Sequence, residues 1–201
     1  RRNLPLVPHE ERRSASPRLK IALYSHDTMG LGHMRRNMLI ARALAAPPFN
    51  AIVLMVSGTH EANAFGVPPG VDCLTLPALY KEDSGKYRAR CMDVSLQELI
   101  SIRANAIKST LEAFQPDVLI VDNVPRGAVR ELDPTLESLR ARGTTRFVLG
   151  LRDVLDDPIV VRSEWERAGN EQAIRRYYDA IWVYGDPNVY DMVNEYGFAP
   201  D

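Results

Sequence analysis

The sequence predicts a doubly wound α/β fold, in which a mostly parallel, Rossmann-like sheet carries helices on both faces. Short runs rich in Val, Ile and Leu recur along the chain and are apolar nearly throughout. Segments with helical spacing of apolar residues separate these runs. A strand that is apolar on both sides must be covered on both faces, as in a parallel sheet between two layers of helices. A chain of 201 residues is long enough to bury one substantial core.

The strands of the sheet are expected where apolar runs of strand length are bounded by polar or turn-forming residues. These runs lie at residues 19–25, 51–57, 71–77, 117–122, 146–152 and 180–185.

The helices are expected between these strands. The segment 95–114 has the clearest pattern, because its apolar residues keep a helical spacing and Ser95 with Glu98 forms a capping box. The helical segments are residues 33–46, 60–65, 95–114, 133–142, 158–168, 170–179 and 187–196.

Composition excludes several classes of function. The chain has 25 Lys and Arg against 26 Asp and Glu, so a nucleic-acid partner is not expected. It contains no apolar run long enough to span a bilayer, and its polar first residues are unlike a secretory signal. The expected location is the cytoplasm, and the alternative is a chain whose targeting signal was removed. Residues 1–18 lack an apolar period and are expected to form a flexible tail. Cys73 and Cys91 fit neither a disulfide framework nor a metal site, and we expect free thiols and no metal.

The first strand is followed by a glycine-rich turn. In open parallel sheets ligands bind beyond the carboxyl ends of the strands, and Gly30 and Gly32 let backbone N–H groups approach a ligand there. A dinucleotide fingerprint would require a third glycine where Arg35 stands, and an acidic residue where the second strand ends at Ser57. The turn therefore does not predict a dinucleotide site, and no phosphate-loop motif occurs elsewhere.

His33 falls in the first turn of the predicted helix. The positive end of the helix dipole favours a neutral imidazole, which can accept a proton as a general base. The alternative is a histidine that caps the helix or packs. Arg35 and Arg36 oppose the same dipole, so an anion should compensate them. That anion is either a ligand phosphate or a carboxylate, for which the candidates are Asp27, Asp122 and Asp153.

Other polar residues follow the remaining strands. Asp122 either orients His33 or binds a hydroxyl, or else forms an Asx turn with Asn123. Arg152 and Asp153 either pair with each other or bind a polar substrate. His26 is expected to be a hydrogen-bonded structural histidine and His60 a residue at a helix start.

The segment 80–94 is a long polar connection at the same edge of the sheet. Loops of this length in a compact domain are usually functional or mobile, so Lys81, Tyr87 and Arg88 are candidates for an acceptor pocket. The alternative is a solvated surface loop. The aromatic residues of the later segments have core-like spacing and are expected to pack rather than to stack on a sugar; they are Trp165, Tyr177, Tyr178 and Trp182.

Four segments carry a resemblance to a known family. "HDTMGLGHMRRNMLIARAL" resembles the first β–loop–α unit of GT-B glycosyltransferases, especially the branch that includes the peptidoglycan N-acetylglucosaminyltransferase, glycosyltransferase family 28. "LPALYKEDSGKY", "PDVLIVDNVPRGAVREL" and "LGLRDVLDDP" resemble predicted bacterial glycosyltransferases related to that enzyme, in the same order and spacing. The resemblance covers residues 19 to about 198.

The resemblance implies that residues 19–198 form the N-terminal, acceptor-side domain of a two-domain enzyme. Residues 199–201 would begin the linker to a C-terminal domain of the same protein that holds the donor. The reaction implied is inverting transfer of a sugar from a nucleoside-diphosphate donor to an acceptor hydroxyl, without a metal or other cofactor. The acceptor would be a small molecule, a glycan or a lipid-linked compound, and peripheral membrane association stays open.

The resemblance also implies roles for individual residues. His33 would be the catalytic base, and Gly30, Leu31, Gly32 and Arg35 would contact the donor diphosphate. The acceptor would be bound by Lys81, Tyr87, Arg88, Asp122, Asn123, Arg152 and Asp153. Two alternatives stay open, a sugar-nucleotide epimerase of the same architecture and a non-catalytic nucleotide-binding module. Residues 1–201 alone are expected to be inactive.

Overall fold

The structure is a computed structural model that describes residues 17–26, 32–59, 66–82, 85–155 and 157–197. The strands are β1 (Lys20–Ser25), β2 (Ile52–Ser57), β3 (Val71–Thr75), β4 (Leu79–Lys81), β5 (Tyr87–Ala89), β6 (Val118–Asp122), β7 (Arg146–Arg152) and β8 (Ala180–Tyr184). The α-helices are α1 (Gly32–Ala45), α2 (Leu96–Phe114), α3 (Asp133–Arg142), α4 (Pro158–Ala168), α5 (Asn170–Tyr177) and α6 (Met192–Tyr196), and Ala128–Arg130 forms a 3-10 turn.

Six of the strands form one parallel sheet in the order β3-β2-β1-β6-β7-β8, whereas β4 and β5 form a separate antiparallel hairpin. The order reverses between β1 and β6, which run side by side although the six described elements from α1 to α2 separate them along the chain. A crevice opens beyond the carboxyl ends of the strands at such a reversal. The predicted Rossmann-like fold class is confirmed.

Helices cover both faces of this sheet because alternate strand residues point to opposite sides. In β1, Ile21 and Leu23 belong to one core, whereas Ala22 and Tyr24 belong to the other. The first core includes Met34, Met38 and Ala41 of α1, and the second includes residues of α2, α3, α4 and α5, among them Ile107, Leu136, Val161 and Ala173. Because apolar layers cover both faces of the sheet, the polar residues lie at the carboxyl ends of its strands.

The structure differs from the sequence-based expectations most clearly in the following respects. The segment 80–94, predicted as a loop, contains most of the β4–β5 hairpin. Helix α6 begins later than residue 187, because Asp186 accepts from the Asn188 N–H in a turn and Asp191 caps the helix instead. Trp182, predicted to pack, is 43% exposed because β8 is an edge strand. Tyr177 and Tyr178 are buried, as predicted.

Other predictions fall partly or wholly outside the described residues. The helix at 60–65 with His60 lies there, as do residues 1–16 of the predicted tail and the segment 199–201. Cys73 and Cys91 are free thiols, as predicted. Within the described ranges, no helix combines the length and apolarity needed to cross a bilayer. Among the same residues, no group of three or more His, Cys, Asp or Glu side chains is placed to hold a metal ion.

Candidate functional site

A histidine and a carboxylate meet where the strand order reverses. Nδ1 of His33, at the start of α1, lies 2.6 Å from Oδ2 of Asp122, the last residue of β6. Arg36 places Nη2 2.5 Å from Oδ1 of the same carboxylate. Asp122 is only 1% exposed, whereas the His33 side chain is 18% exposed. A carboxylate this deeply buried is stable as an anion only when it is paired in this way.

The sequence brings these residues together through the sheet register. Tyr24 of β1 pairs with Val121 of β6, so both strands end at the same level, and α1 starts at that edge. His33 and Arg36 are three residues apart on one helical face, so both reach the same acceptor. The predicted need for an anion beside the arginines is met for Arg36 by Asp122, while Arg35 is exposed.

The arrangement leaves His33 one ring nitrogen for chemistry. When Asp122 accepts a hydrogen bond from Nδ1–H, the lone pair of the imidazole lies on Nε2, which can then exchange a proton with a substrate. Arg36 also lies with its guanidinium carbon 5.0 Å from the centroid of the Tyr184 ring. Burial, followed by the charge of Asp122, raises the pKa of Tyr184, so this phenol stays protonated.

His26, directly after β1, lies against His33 with ring centroids 5.3 Å apart. It is 8% exposed, and its Nδ1 finds no hydrogen-bond partner among the described residues, unlike the hydrogen-bonded histidine that was expected. Burial, and then the neighbouring His33, lower the pKa of His26 to about 4. His26 is therefore neutral at pH 7.

A cavity of about 620 Å³ adjoins His26 at this edge of the sheet. It lies between the β4–β5 hairpin, the loop 123–131 that follows β6, and α4. Four residues predicted for the acceptor line it together, namely Lys81, Tyr87, Asn123 and Arg152. The volume is in the range of about 300–1,000 Å³ typical of small-molecule sites.

Two further residues predicted for the acceptor lie away from the cavity lining. Arg88 turns to the outside of the hairpin, where its guanidinium carbon lies 4.5 Å from the Tyr80 ring centroid and Nε lies 3.4 Å from Glu82. Asp153 accepts a hydrogen bond from the Val154 N–H, and Arg152 donates to the Leu155 carbonyl. Arg152 and Asp153 therefore do not pair with each other in the described structure.

The glycine-rich turn is only partly described. Gly30 and Leu31 lie outside the described residues. A Cβ at Gly32 would meet no atom of the described residues within 4 Å. Whether the turn contacts a diphosphate stays a prediction.

Sequence reasoning missed other residues that line the cavity, among them Arg126, Arg130, Glu164, Trp165 and Arg167. The signal for the first two was present in "NVPRGAVRE", a Pro and Gly loop with two arginines at the carboxyl end of a strand. Nothing in the α4 sequence distinguishes its cavity-lining residues from those of an ordinary surface helix. Trp165 is partly buried and also packs against the core, as predicted.

A buried ion pair with α2 anchors the loop 123–131 at its last residue. Arg103 of α2 and Glu131 are both 0% exposed, with Nε to Oε2 at 2.5 Å and Nη2 to Oε1 at 2.7 Å. Tyr24 donates to the same carboxylate at 2.5 Å and accepts from the Ala128 N–H at 3.3 Å. Burial, and then the charge of Glu131, raise the pKa of Tyr24 well above its usual value. The loop is therefore tied to both α2 and β1.

The same loop contains several residues in the left-handed region. Asn123, Gly127, Val129 and Arg130 have φ angles of 65°, 69°, 49° and 62°. For a β-branched residue such as Val129 this conformation is strained, and residues of this kind concentrate at functional sites. At Gly127 a Cβ would also lie 2.7 Å from the Tyr24 hydroxyl, so the loop passes too close to β1 for a side chain.

Comparison of the sequence with protein-family models and with curated proteins gave no match. Among solved structures, the chain is similar to a protein assigned as a UDP-N-acetylglucosamine 2-epimerase from Listeria monocytogenes, at a TM-score of 0.51 and 14% identity. The match covers 92% of this chain and 44% of that one. A second UDP-N-acetylglucosamine 2-epimerase gives a TM-score of 0.49 at 12% identity, over 83% of this chain and 42% of that one. The chain thus spans less than half the length of the structures it matches, and at this identity the likeness is one of fold.

Proposed function

We propose that this chain supplies the acid–base half of an enzyme that acts on a nucleotide sugar, with His33 as the group that moves the proton. The observation that carries this proposal is the 2.6 Å contact of His33 with a buried carboxylate. Asp122 holds Nδ1, so Nε2 is the nitrogen that would exchange the proton, at the sheet edge where open α/β folds bind ligands. A histidine held by a carboxylate at such a point can act as a general acid or base.

Epimerisation is the first candidate reaction. The fold is shared with a structure assigned as a UDP-N-acetylglucosamine 2-epimerase, which supports this reaction although the identity is 14%. An epimerase breaks and remakes one bond at the carbon whose configuration changes. When that bond is C–H, a base removes the proton and an acid returns one to the opposite face, and His33 would serve in one of these steps.

Glycosyl transfer is the second candidate, and the cavity favours it. A transferase needs space for an acceptor beside the base, and the 620 Å³ cavity begins at His26, whose ring lies 5.3 Å from that of His33. In this reaction His33 would take the proton of the acceptor hydroxyl while the nucleoside diphosphate leaves with the electrons of the anomeric C–O bond.

Incubation of the full-length protein with UDP-N-acetylglucosamine in D₂O separates the two reactions. Epimerisation predicts a new epimer with deuterium at the inverted carbon, without any acceptor. Transfer predicts release of UDP only when an acceptor mixture is added, with no deuterium on the sugar carbons. Binding of the nucleotide sugar without either product would overturn the proposal and favour a binding module.

A further inference from the structure

The cavity beside His26 has an excess of positive charge. Among the residues that the structure describes, its lining contains the cations Lys81, Arg126, Arg130, Arg152 and Arg167, and one carboxylate, that of Glu164. We call it the cationic cavity. Arg126 is neutralised by Asp133, at 2.8 Å from Nε to Oδ1. The other four cations form no ion pair with a carboxylate in the described part of the chain.

Two of these cations are nevertheless held in place. Nη2 of Arg130 donates to the Ala168 carbonyl at 3.1 Å, and Nη2 of Arg152 donates to the Leu155 carbonyl at 3.3 Å. A carbonyl orients a guanidinium without cancelling its charge, so most of the five donors of each guanidinium stay available. Such a planar group can form two parallel hydrogen bonds with a phosphate.

The cavity wall is preorganised rather than adaptable. The loop 123–131 is tied to α2 and β1 through Glu131, which Arg103 and Tyr24 contact. Val129 and Arg130 retain left-handed φ angles that cost conformational energy, and the buried contacts on either side over-determine them. Preorganised donors lose little entropy on binding, so this construction suits a ligand site.

His26 provides an independent sign of a ligand. It lines the cavity, it is 8% exposed, and its Nδ1 has no hydrogen-bond partner among the described residues. A buried polar nitrogen without a partner is costly, and a ligand oxygen would satisfy it.

We propose that the cationic cavity binds phosphate groups. Among the described lining residues, four cations have no carboxylate partner and Glu164 supplies one carboxylate, a balance that matches the multiple charges of a diphosphate better than the single charge of a carboxylate. The phosphate belongs either to the nucleotide sugar or to a second, phosphorylated substrate. The identity of that ligand rests on the proposed function, whereas the binding itself does not.

Calorimetric titration of the full-length protein with pyrophosphate tests this proposal. Arg130→Gln and Arg152→Gln are each expected to raise the dissociation constant about tenfold or more, since each removes a charge-assisted contact. Arg146→Gln is the matched control, because Arg146 stands at the opposite end of the same strand as Arg152. It should change the constant by less than about twofold, as expected for a charge remote from the ligand. Pyrophosphate binding that is undetectable, or equal in all four proteins, would overturn the proposal.

Competition with UDP then identifies the source of the phosphate. Displacement of pyrophosphate by saturating UDP would show that the cavity holds the diphosphate of the nucleotide. Simultaneous binding of both would support a second, phosphorylated substrate. His33→Gln is expected to lower turnover by about 10²–10⁴-fold but to retain pyrophosphate binding, so a failure of the proposed function is distinguishable from a failure of the phosphate site.

Discussion

His33 and Asp122 are 89 residues apart in sequence, yet Nδ1 of one lies 2.6 Å from Oδ2 of the other. Their contact depends on the adjacency of β1 and β6 in the sheet, because His33 follows β1 and Asp122 is the last residue of β6. Arg36 binds the second oxygen of the carboxylate, so Asp122 has little freedom to rotate. The imidazole is thereby held through its Nδ1 atom.

Replacement of Asp122 by Asn should impair the proposed chemistry more than the fold. An amide can donate to Nδ1 and select the wrong tautomer of His33, so kcat for the nucleotide sugar is expected to fall by about 10²–10⁴-fold. Steady-state kinetics of the full-length protein measure this effect. Asp72→Asn is the control, since Asp72 is exposed on β3 and accepts from the neighbouring Cys73 N–H. Equal kcat in both variants would contradict a positioning role for Asp122.

The low pKa of His26 predicts a specific acid sensitivity. The unfolded chain binds a proton at this residue near pH 6.5, whereas the native chain does so only near pH 4, so stability falls as the pH drops through that interval. Between pH 7 and 5 this group should remove about 2 kcal/mol of unfolding free energy. The charged or titratable groups that face it are His33, Asp122, Arg103 and Lys81. Urea unfolding at both pH values measures the loss.

His26→Gln is the test of that assignment, because glutamine does not titrate. The variant should lose less stability than the wild type over the same pH interval, by about the 2 kcal/mol assigned to His26. An equal loss in both proteins would show that other groups cause the acid sensitivity.

The buried ion pair predicts an asymmetric effect of substitution. Arg103→Met leaves the Glu131 carboxylate buried and unpaired, so a loss of about 3–5 kcal/mol is expected. The double variant with Glu131→Leu removes both charges and should recover much of that loss. Arg175→Met breaks the exposed pair with Glu171 and should cost about 1 kcal/mol or less. Denaturant unfolding of the four proteins measures these differences, and a double variant less stable than Arg103→Met would contradict the account.

Alanine substitutions at two glycines distinguish the energetic cost of backbone strain from the cost of steric overlap. Gly127 and Gly143 have φ angles of 69° and 71°, but only at Gly127 would a Cβ contact other atoms, with the Tyr24 hydroxyl at 2.7 Å. Gly143→Ala should therefore cost only the strain of the left-handed region, about 1 kcal/mol. Gly127→Ala should cost distinctly more and should also weaken pyrophosphate binding, since the loop must shift. Similar unfolding free energies for the two variants would refute the close approach of this loop to β1.

The fold was predictable from local patterns, because buried strands appear as short apolar runs and amphipathic helices as apolar residues at helical spacing. The bounds of α3 and α4 agree with the prediction at both ends, as do those of β7. The β4–β5 hairpin was not found, since strands of three residues within a polar segment are too short to show an alternating pattern.

The site was predictable only where strand order alone brings residues together. The carboxyl-end rule placed His33 and Asp122 at one edge, and their contact was among the alternatives that the residues suggested. The burial of Arg103 was not predictable, because an arginine in a helix normally faces solvent and its partner Glu131 is 28 residues away. The same holds for Arg167, whose proximity to the cavity depends on how α4 packs.

The most direct test of the central claim is the turnover of UDP-N-acetylglucosamine by the full-length protein with His33 replaced by Gln. Glutamine retains a polar side chain of similar size but exchanges no proton at neutral pH. If His33 is the acid–base group, kcat falls by about 10²–10⁴-fold while nucleotide-sugar binding changes little. A variant that turns over the nucleotide sugar at the wild-type rate would contradict the account.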